Sequence, residues 1–174
     1  MTTLVDNIVF DTERLNIRRY TSDDLHHFFK LNGDADIMRF IRPAQTLQQS
    51  KEFLHRIISD YENWPGMGRW AMFSKSDQQF IGSFAIIPIE NSHRFQLGYA
   101  LVKNDWGKGY ASESVKGGIQ YAFERLGLKE IAGITFPENL PSQKVLLKNG
   151  FVFDSTFAEE EKQLNLYIRK RQII

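Results

Sequence analysis

The chain has no cysteine among its 174 residues, which excludes a disulfide framework, a thiol nucleophile and thiolate metal ligands together. Histidine is scarce as well: four residues, scattered without metal-ligand spacing, so no metal is expected. Neither charge is in excess, with 22 Lys and Arg against 21 Asp and Glu. No global field therefore recruits nucleic acid or a membrane surface. No stretch approaches the ~20 apolar residues of a membrane span. The opening "MTTLVDNIVFDTERL" lacks a basic region followed by an apolar run, so it does not read as a signal peptide. A cytoplasmic protein is the expectation. Without repeats, low-complexity tracts or linkers, residues 1–174 read as one domain with one sizeable core.

Aromatic residues, by contrast, are plentiful: 14 Phe, six Tyr and three Trp, enough to fill a core and line a cleft. "RLNIRRY" alternates as a half-buried strand. Thr21 and Asp24, then Thr46 and Gln49, have the three-residue spacing of capping boxes. The first precedes a helix through Leu25, Phe28 and Phe29. A short helical piece in "DADIMRFIRP" ends at Pro43, and the second box opens a longer helix with an apolar stripe of Phe53, Leu54, Ile57, Ile58 and Tyr61. "RWAMFSK", "FIGSFAII" and "FQLGYALV" are β-rich, the first two joined by a hairpin at "SDQQ". A helix through Val115, Ile119, Ala122, Phe123 and Leu126 ends near Gly127, "EIAGITF" is a strand, and "PSQKVLLKNG" is a short helix with Gly150 past its end. "FVF" and "QLNLYIRK" close the chain as strands. The order βα(α)αβββαβαββ predicts an α/β domain on a mixed sheet.

Between the third β-rich run and the helix lies "NDWGKGYASESV", with Gly107 and Gly109 around Lys108. A strand, a glycine loop and a helix start make an anion site, because free N–H groups and the helix dipole both favour negative charge. Lys108 either adds charge there or is solvated, and a plain turn before a helix is the competing reading. The phosphate-loop motif G-x-x-x-x-G-K-S/T is absent. The dinucleotide pattern G-x-G-x-x-G matches poorly, since Ser112 takes its third place and the next strand ends in "TFPEN" with no suitably placed acid.

"LGYALVKNDWGKGYASESVKGGIQYAFERLGLKEI" followed by "PENLPSQKVLLKNGF" resembles the acyl-CoA-binding core of the GNAT N-acetyltransferase superfamily. "TERLNIRRY", "GRWAMF", "FIGSF" and "LGYALVKNDWGKGYASE" are similar to its branch of ribosomal-protein N-terminal acetyltransferases. The likeness runs from about Thr12 to about Tyr167. It implies a GNAT fold of the α/β (α+β) class: a mixed, mostly antiparallel, twisted sheet of about seven strands, flanked by helices and splayed to hold acyl-CoA. The family signature Q/R-x-x-G-x-G/A falls on Trp106, Gly107, Lys108, Gly109, Tyr110 and Ala111, with Trp106 departing from the first position.

By that resemblance, backbone N–H groups from Gly107 to Ser112 hold the CoA pyrophosphate. The strand end at Leu101 and Val102 pairs with the pantetheine arm as an added β-edge, and a backbone N–H there polarises the thioester carbonyl. The pattern N-x-x-S falls on Asn139, a pantetheine partner, and Ser142, a donor at the thioester sulfur. Ser142 has a competing role as helix cap. The implied reaction is direct acetyl transfer from acetyl-CoA to an amine, without a covalent enzyme intermediate. Relatives often carry a glutamate where this chain has Gln96, two residues before "GY". Gln96 orients water but accepts no proton, so Glu90 and His93 just upstream are candidate substitutes. His93 reads more readily as a surface residue, and Tyr99 as a wall. Three functions stay in view: acetylation of a protein N-terminus by a monomer or homodimer, acetylation of a small amine, and a non-catalytic CoA-binding module.

Overall fold

A computed structural model describes residues 7–172. The opening residues 1–6, which bear on the signal-peptide reading, lie outside the described residues. Eight strands form one sheet in the order β1-β2-β3-β4-β5-β6-β8-β7. They are β1 (Ile8–Asp11), β2 (Leu15–Arg19), β3 (Gly68–Ser74), β4 (Phe80–Pro88), β5 (Phe95–Leu101), β6 (Glu130–Thr135), β7 (Val152–Glu159) and β8 (Lys162–Lys170). Every neighbouring pair is antiparallel except β5 and β6. The expected mixed, mostly antiparallel sheet is there, with one strand more than the sequence suggested. The addition is β1, whose four residues IVFD are too short to show alternation. Tertiary packing holds it: Phe10 stacks on Tyr121, ring centroids 5.2 Å apart, and meets Phe84 edge-on at 5.6 Å.

Helices α1 (Leu25–Asn32), α2 (Ala35–Met38) and α3 (Leu47–Asn63) precede β3, while α4 (Tyr110–Glu124) and α5 (Leu140–Lys148) flank β6. The capping box of α3 is complete: the Gln49 N–H donates to Thr46 Oγ1 at 3.2 Å, and the Thr46 N–H donates to Gln49 Oε1 at 2.8 Å. The α3 stripe is buried at Leu54, Ile57 and Tyr61, with Phe53 and Ile58 packed on the core edge. Below α1, Asp24 is buried yet charged: burial raises its pKa, but Arg18 and the Thr21 N–H and hydroxyl outweigh burial and leave it lowered. Its ion pair with Arg18 is 2.8 Å long.

The two sheet faces carry different layers. Trp70, Phe84 and Tyr99 are cross-strand neighbours on one face. There α4 comes so near that a Cβ on Gly118 would stand 2.3 Å from the Phe84 ring. Arg69, Ala85 and Gly98 form the matching row on the opposite face, which also holds Ser83, Ile87 and Gln96. That face looks toward α1, α2 and α3.

Candidate active site

Strand β5 pairs with β4 along its whole length, from Gly82–Leu101 to Pro88–Phe95. Strand β5 meets β6 at just two positions, Gln96–Ala132 and Leu97–Gly133. Past Leu97 the two strands part, so Gly98 to Leu101 have an unpaired edge. N–H direction alternates along a strand. The Val102 N–H donates to the Ile81 carbonyl at 3.0 Å and so faces β4. By alternation, Leu101 and Tyr99 direct their N–H groups into the gap. The Leu101 carbonyl is already held there by Trp106 Nε1 at 2.9 Å. Trp106, half exposed, thus ties the glycine loop to the strand end and offers no side-chain donor to a phosphate.

After that strand, Gly107 and Gly109 take φ of +76° and +85°, a region that disfavours side chains with a Cβ. Gly109 is the N-cap of α4, and the first N–H to close on the loop is that of Glu113, onto the Gly109 carbonyl at 3.0 Å. The N–H groups of Gly107, Lys108, Gly109, Tyr110, Ala111 and Ser112 have no hydrogen-bond partner among the described residues. Six free donors at the start of a 15-residue helix fit a pyrophosphate. Lys108 is ion-paired with Asp105 at 3.0 Å.

The loop is braced from the turn between β1 and β2 by residues that sequence reasoning missed. Arg14 Nε pairs with Glu113 Oε2 at 2.6 Å, and its Nη1 donates to the Lys108 carbonyl at 3.1 Å. Its guanidinium lies 4.3 Å from the centre of the Tyr110 ring. The Arg14 N–H and Thr12 Oγ1 both donate to Glu113 Oε1. Burial raises the Glu113 pKa, but these donors and the Arg14 charge outweigh it and hold the carboxyl below its usual range. Arg14 and Glu113 stand 99 positions apart, with no local pattern to link them.

On the other wall of the gap, Asn139 caps α5, its Oδ1 accepting from the Ser142 N–H at 3.3 Å. The competing role for Ser142 thus belongs to Asn139. The Ser142 side chain instead takes a hydrogen bond from the Tyr99 hydroxyl at 3.1 Å. Burial raises the Tyr99 pKa and the Ser142 contact partly offsets it, so the phenol stays a proton donor. Nearby, the buried Thr135 hydroxyl has no partner among the described residues. At the far end of α5, Asn149 Nδ2 reaches Ser112 Oγ at 3.0 Å, joining the two walls.

A cleft of about 310 Å³ runs through the splay and is lined by Gln96, Gly98, Tyr99, Asn139 and Ser142 together. Tyr99 and Ser142 stand on the face toward α4 and α5. Gln96 and Gly98 stand on the face toward α1, α2 and α3, where a Cβ on Gly98 would meet nothing within 4 Å. Glu90 and His93 do not line the cleft; they are exposed in the turn between β4 and β5. The pleat explains this: Gln96 pairs with Ile87 inside the sheet, while the chain beyond Pro88 has already left it. Glu159 is the sole carboxylate among the lining residues, and Arg42, Arg69 and Lys162 line the cleft as well.

The Acetyltransferase (GNAT) domain family matches residues 14–152. The chain belongs to this family, and it is an acyltransferase. It is 32% identical over 155 residues to the uncharacterized N-acetyltransferase p20 of Bacillus licheniformis, covering 87% of this chain and 86% of the relative. Among solved structures, RimL, the ribosomal L7/L12 alpha-N-protein acetyltransferase, in complex with coenzyme A, superposes with TM-score 0.79 at 17% identity, over 94% of this chain and 97% of that one. The spermidine N-acetyltransferase from Vibrio cholerae, in complex with CoA and spermine, superposes with TM-score 0.76 at 21% identity, over 90% and 95%. These two likenesses show the fold. No group of histidines and carboxylates among the described residues has the geometry to hold a metal ion.

Proposed function

We propose that this N-acetyltransferase acts on the α-amino group of a protein or peptide N-terminus. The observation that carries the reading is Gln96 on the acceptor side of the cleft, a side chain that accepts no proton, with Glu159 at the end of β7 the one carboxylate among the lining residues. On this reading the acceptor loses its proton to solvent, not to Glu159. An α-amine of pKa about 7.7–8.0 is roughly a quarter to two fifths neutral at pH 7.5, whereas a lysine-type amine near 10.4 is neutral about once in 10³. The fold is shared with a ribosomal-protein enzyme and a polyamine enzyme alike. Charge separates the two readings: Arg42, Arg69 and Lys162 outnumber Glu159 in the cleft and repel a polycation.

Acetyl-CoA supplies an activated thioester. The N–H groups of Gly107 to Ser112 hold its pyrophosphate, and the open edge of β5 receives its arm. Gln96 orients the amine or a water beside it. In the reaction an N–C bond forms, the C–S bond breaks, and one proton passes from nitrogen to sulfur. A serine hydroxyl is a weaker acid than a thiol, so Ser142 acts by donating a hydrogen bond to the developing thiolate. Tyr99 donates to Ser142 and leaves the serine proton free to point at sulfur. The test is an acceptor panel of N-terminal peptides, lysine derivatives and polyamines, read by CoA thiol release. Turnover confined to polyamines would overturn the assignment.

A further inference from the structure

On the acceptor side, two cleft-lining guanidinium groups meet at one aromatic ring, which the exposed Arg56, outside the cleft, also approaches at 5.5 Å. Arg42, between α2 and α3, lies 4.8 Å from the centre of the Phe53 ring, and Arg69 of β3 lies 5.6 Å from it. Both are half-buried and line the cleft. No salt bridge among the described residues includes either. Arg42 is aimed by the buried Asn32: the amide nitrogen of Asn32 is spent on the Phe28 carbonyl, so its oxygen faces Arg42 Nη1 at 2.9 Å. The Arg69 side chain has no hydrogen-bond partner among the described residues. Burial, with Arg69 close by, pushes the Arg42 pKa down to about 10, so the charge persists at neutral pH without a counterion.

Two like charges, each half-buried in the wall of the cleft, repel each other and lose hydration. An incoming carboxylate relieves both costs and accepts from both forks. Arg69 shares its cross-strand row with Gly98, the open position beside Gln96. An anion on this pair therefore sits on the same face as the amine.

Resting on the terminal-amine reading above, we infer that Arg42 and Arg69 form a carboxylate subsite, and that the acceptor carries an acidic group close to its reactive amine. In a peptide this is an Asp or Glu side chain in the first few residues. In a free amino acid it would be the α-carboxylate.

Steady-state acetylation is measured with peptide pairs differing only in Asp or Glu against Asn or Gln after the first residue, and with free amino acids against their amides. Wild-type kcat/KM should favour the acid over its amide by roughly 10-fold to 150-fold, the range of a charged hydrogen bond. Arg42→Gln and Arg69→Gln should each shrink that ratio through KM for the acid, with kcat and acetyl-CoA affinity little changed. A merely structural role would slow acid and amide alike. Equal kcat/KM for acid and amide in the wild type overturns the subsite, whether or not the variants fold, and leaves the terminal-amine reading standing. A ratio that survives both substitutions also overturns it. An arginine-dependent preference seen with free amino acids and no peptide turnover supports the subsite and overturns the terminal-amine reading.

Discussion

Replacing Ser142 by alanine separates capping from catalysis, because the structure gives the two roles to different residues. The α5 cap bond runs from the Ser142 backbone N–H to Asn139 Oδ1 and survives the substitution. What is lost is the hydroxyl and its contact with Tyr99. The Tyr99 phenol faces the cleft, where water replaces that partner, so the stability cost stays within about 1 kcal/mol. A donor aimed at a developing charge contributes about 1.5–3 kcal/mol, so kcat should fall roughly 10-fold to 150-fold. Asn139→Ala is the counterpart: loss of a cap costs about 1 kcal/mol and lowers the melting temperature. The assay is CoA thiol release under saturating acetyl-CoA, beside thermal unfolding of both variants. Full kcat in Ser142→Ala, or a larger loss of melting temperature there than in Asn139→Ala, refutes the division of roles.

Gly109→Val places a β-branched residue at φ +85°. It should cost about 1–3 kcal/mol of stability and weaken acetyl-CoA binding at least tenfold by calorimetry; undiminished binding in a folded variant would remove the phosphate assignment. Glu113→Gln should weaken acetyl-CoA binding by loosening the Arg14 brace, and wild-type affinity in that variant would make the brace irrelevant to the loop. Because the folded pKa of Glu113 lies below its ordinary value, near 4.3, the brace contributes stability that is full above that value and lost as pH falls through the depressed one. Glu113→Gln should accordingly flatten part of the acid limb of a stability–pH curve. Wild-type kcat should climb with pH as the acceptor amine deprotonates. Glu90→Gln should leave it unchanged and Gln96→Glu should raise it at neutral pH, whereas an inflection near pH 6 that vanishes in Glu90→Gln would restore Glu90 as base.

Elements with a full period were legible in the sequence: α3 from its box and stripe, β3 and β4 from their hairpin, and the glycine loop from residues whose backbone demands are local. Short or edge elements were not. β1 needs Tyr121 to hold it, and β7 runs to Glu159 where the sequence suggested only "FVF", because its mostly exposed residues give no alternation. At the site, the positions in contiguous motifs were readable. Arg42 and Arg69 were missed because they meet only across an element boundary. A signal did exist for Arg69: it shares its side of "RWAMF" with Ala71 and Phe73, an inward place for a charge. Tyr99 was read as a wall, since its Ser142 contact spans 43 positions.

The central claim, acetyl transfer from acetyl-CoA to an α-amine across the β5–β6 splay, is tested most directly by mass spectrometry of one peptide. That peptide carries a free N-terminus, an acidic residue close behind it and an internal lysine. It is incubated with enzyme and acetyl-CoA while thiol release is followed. The account predicts one acetyl group on the terminal amine for each CoA released and none on the lysine. Acetylation of the lysine alone, or tight acetyl-CoA binding with no transfer to this peptide or any other amine, would contradict it.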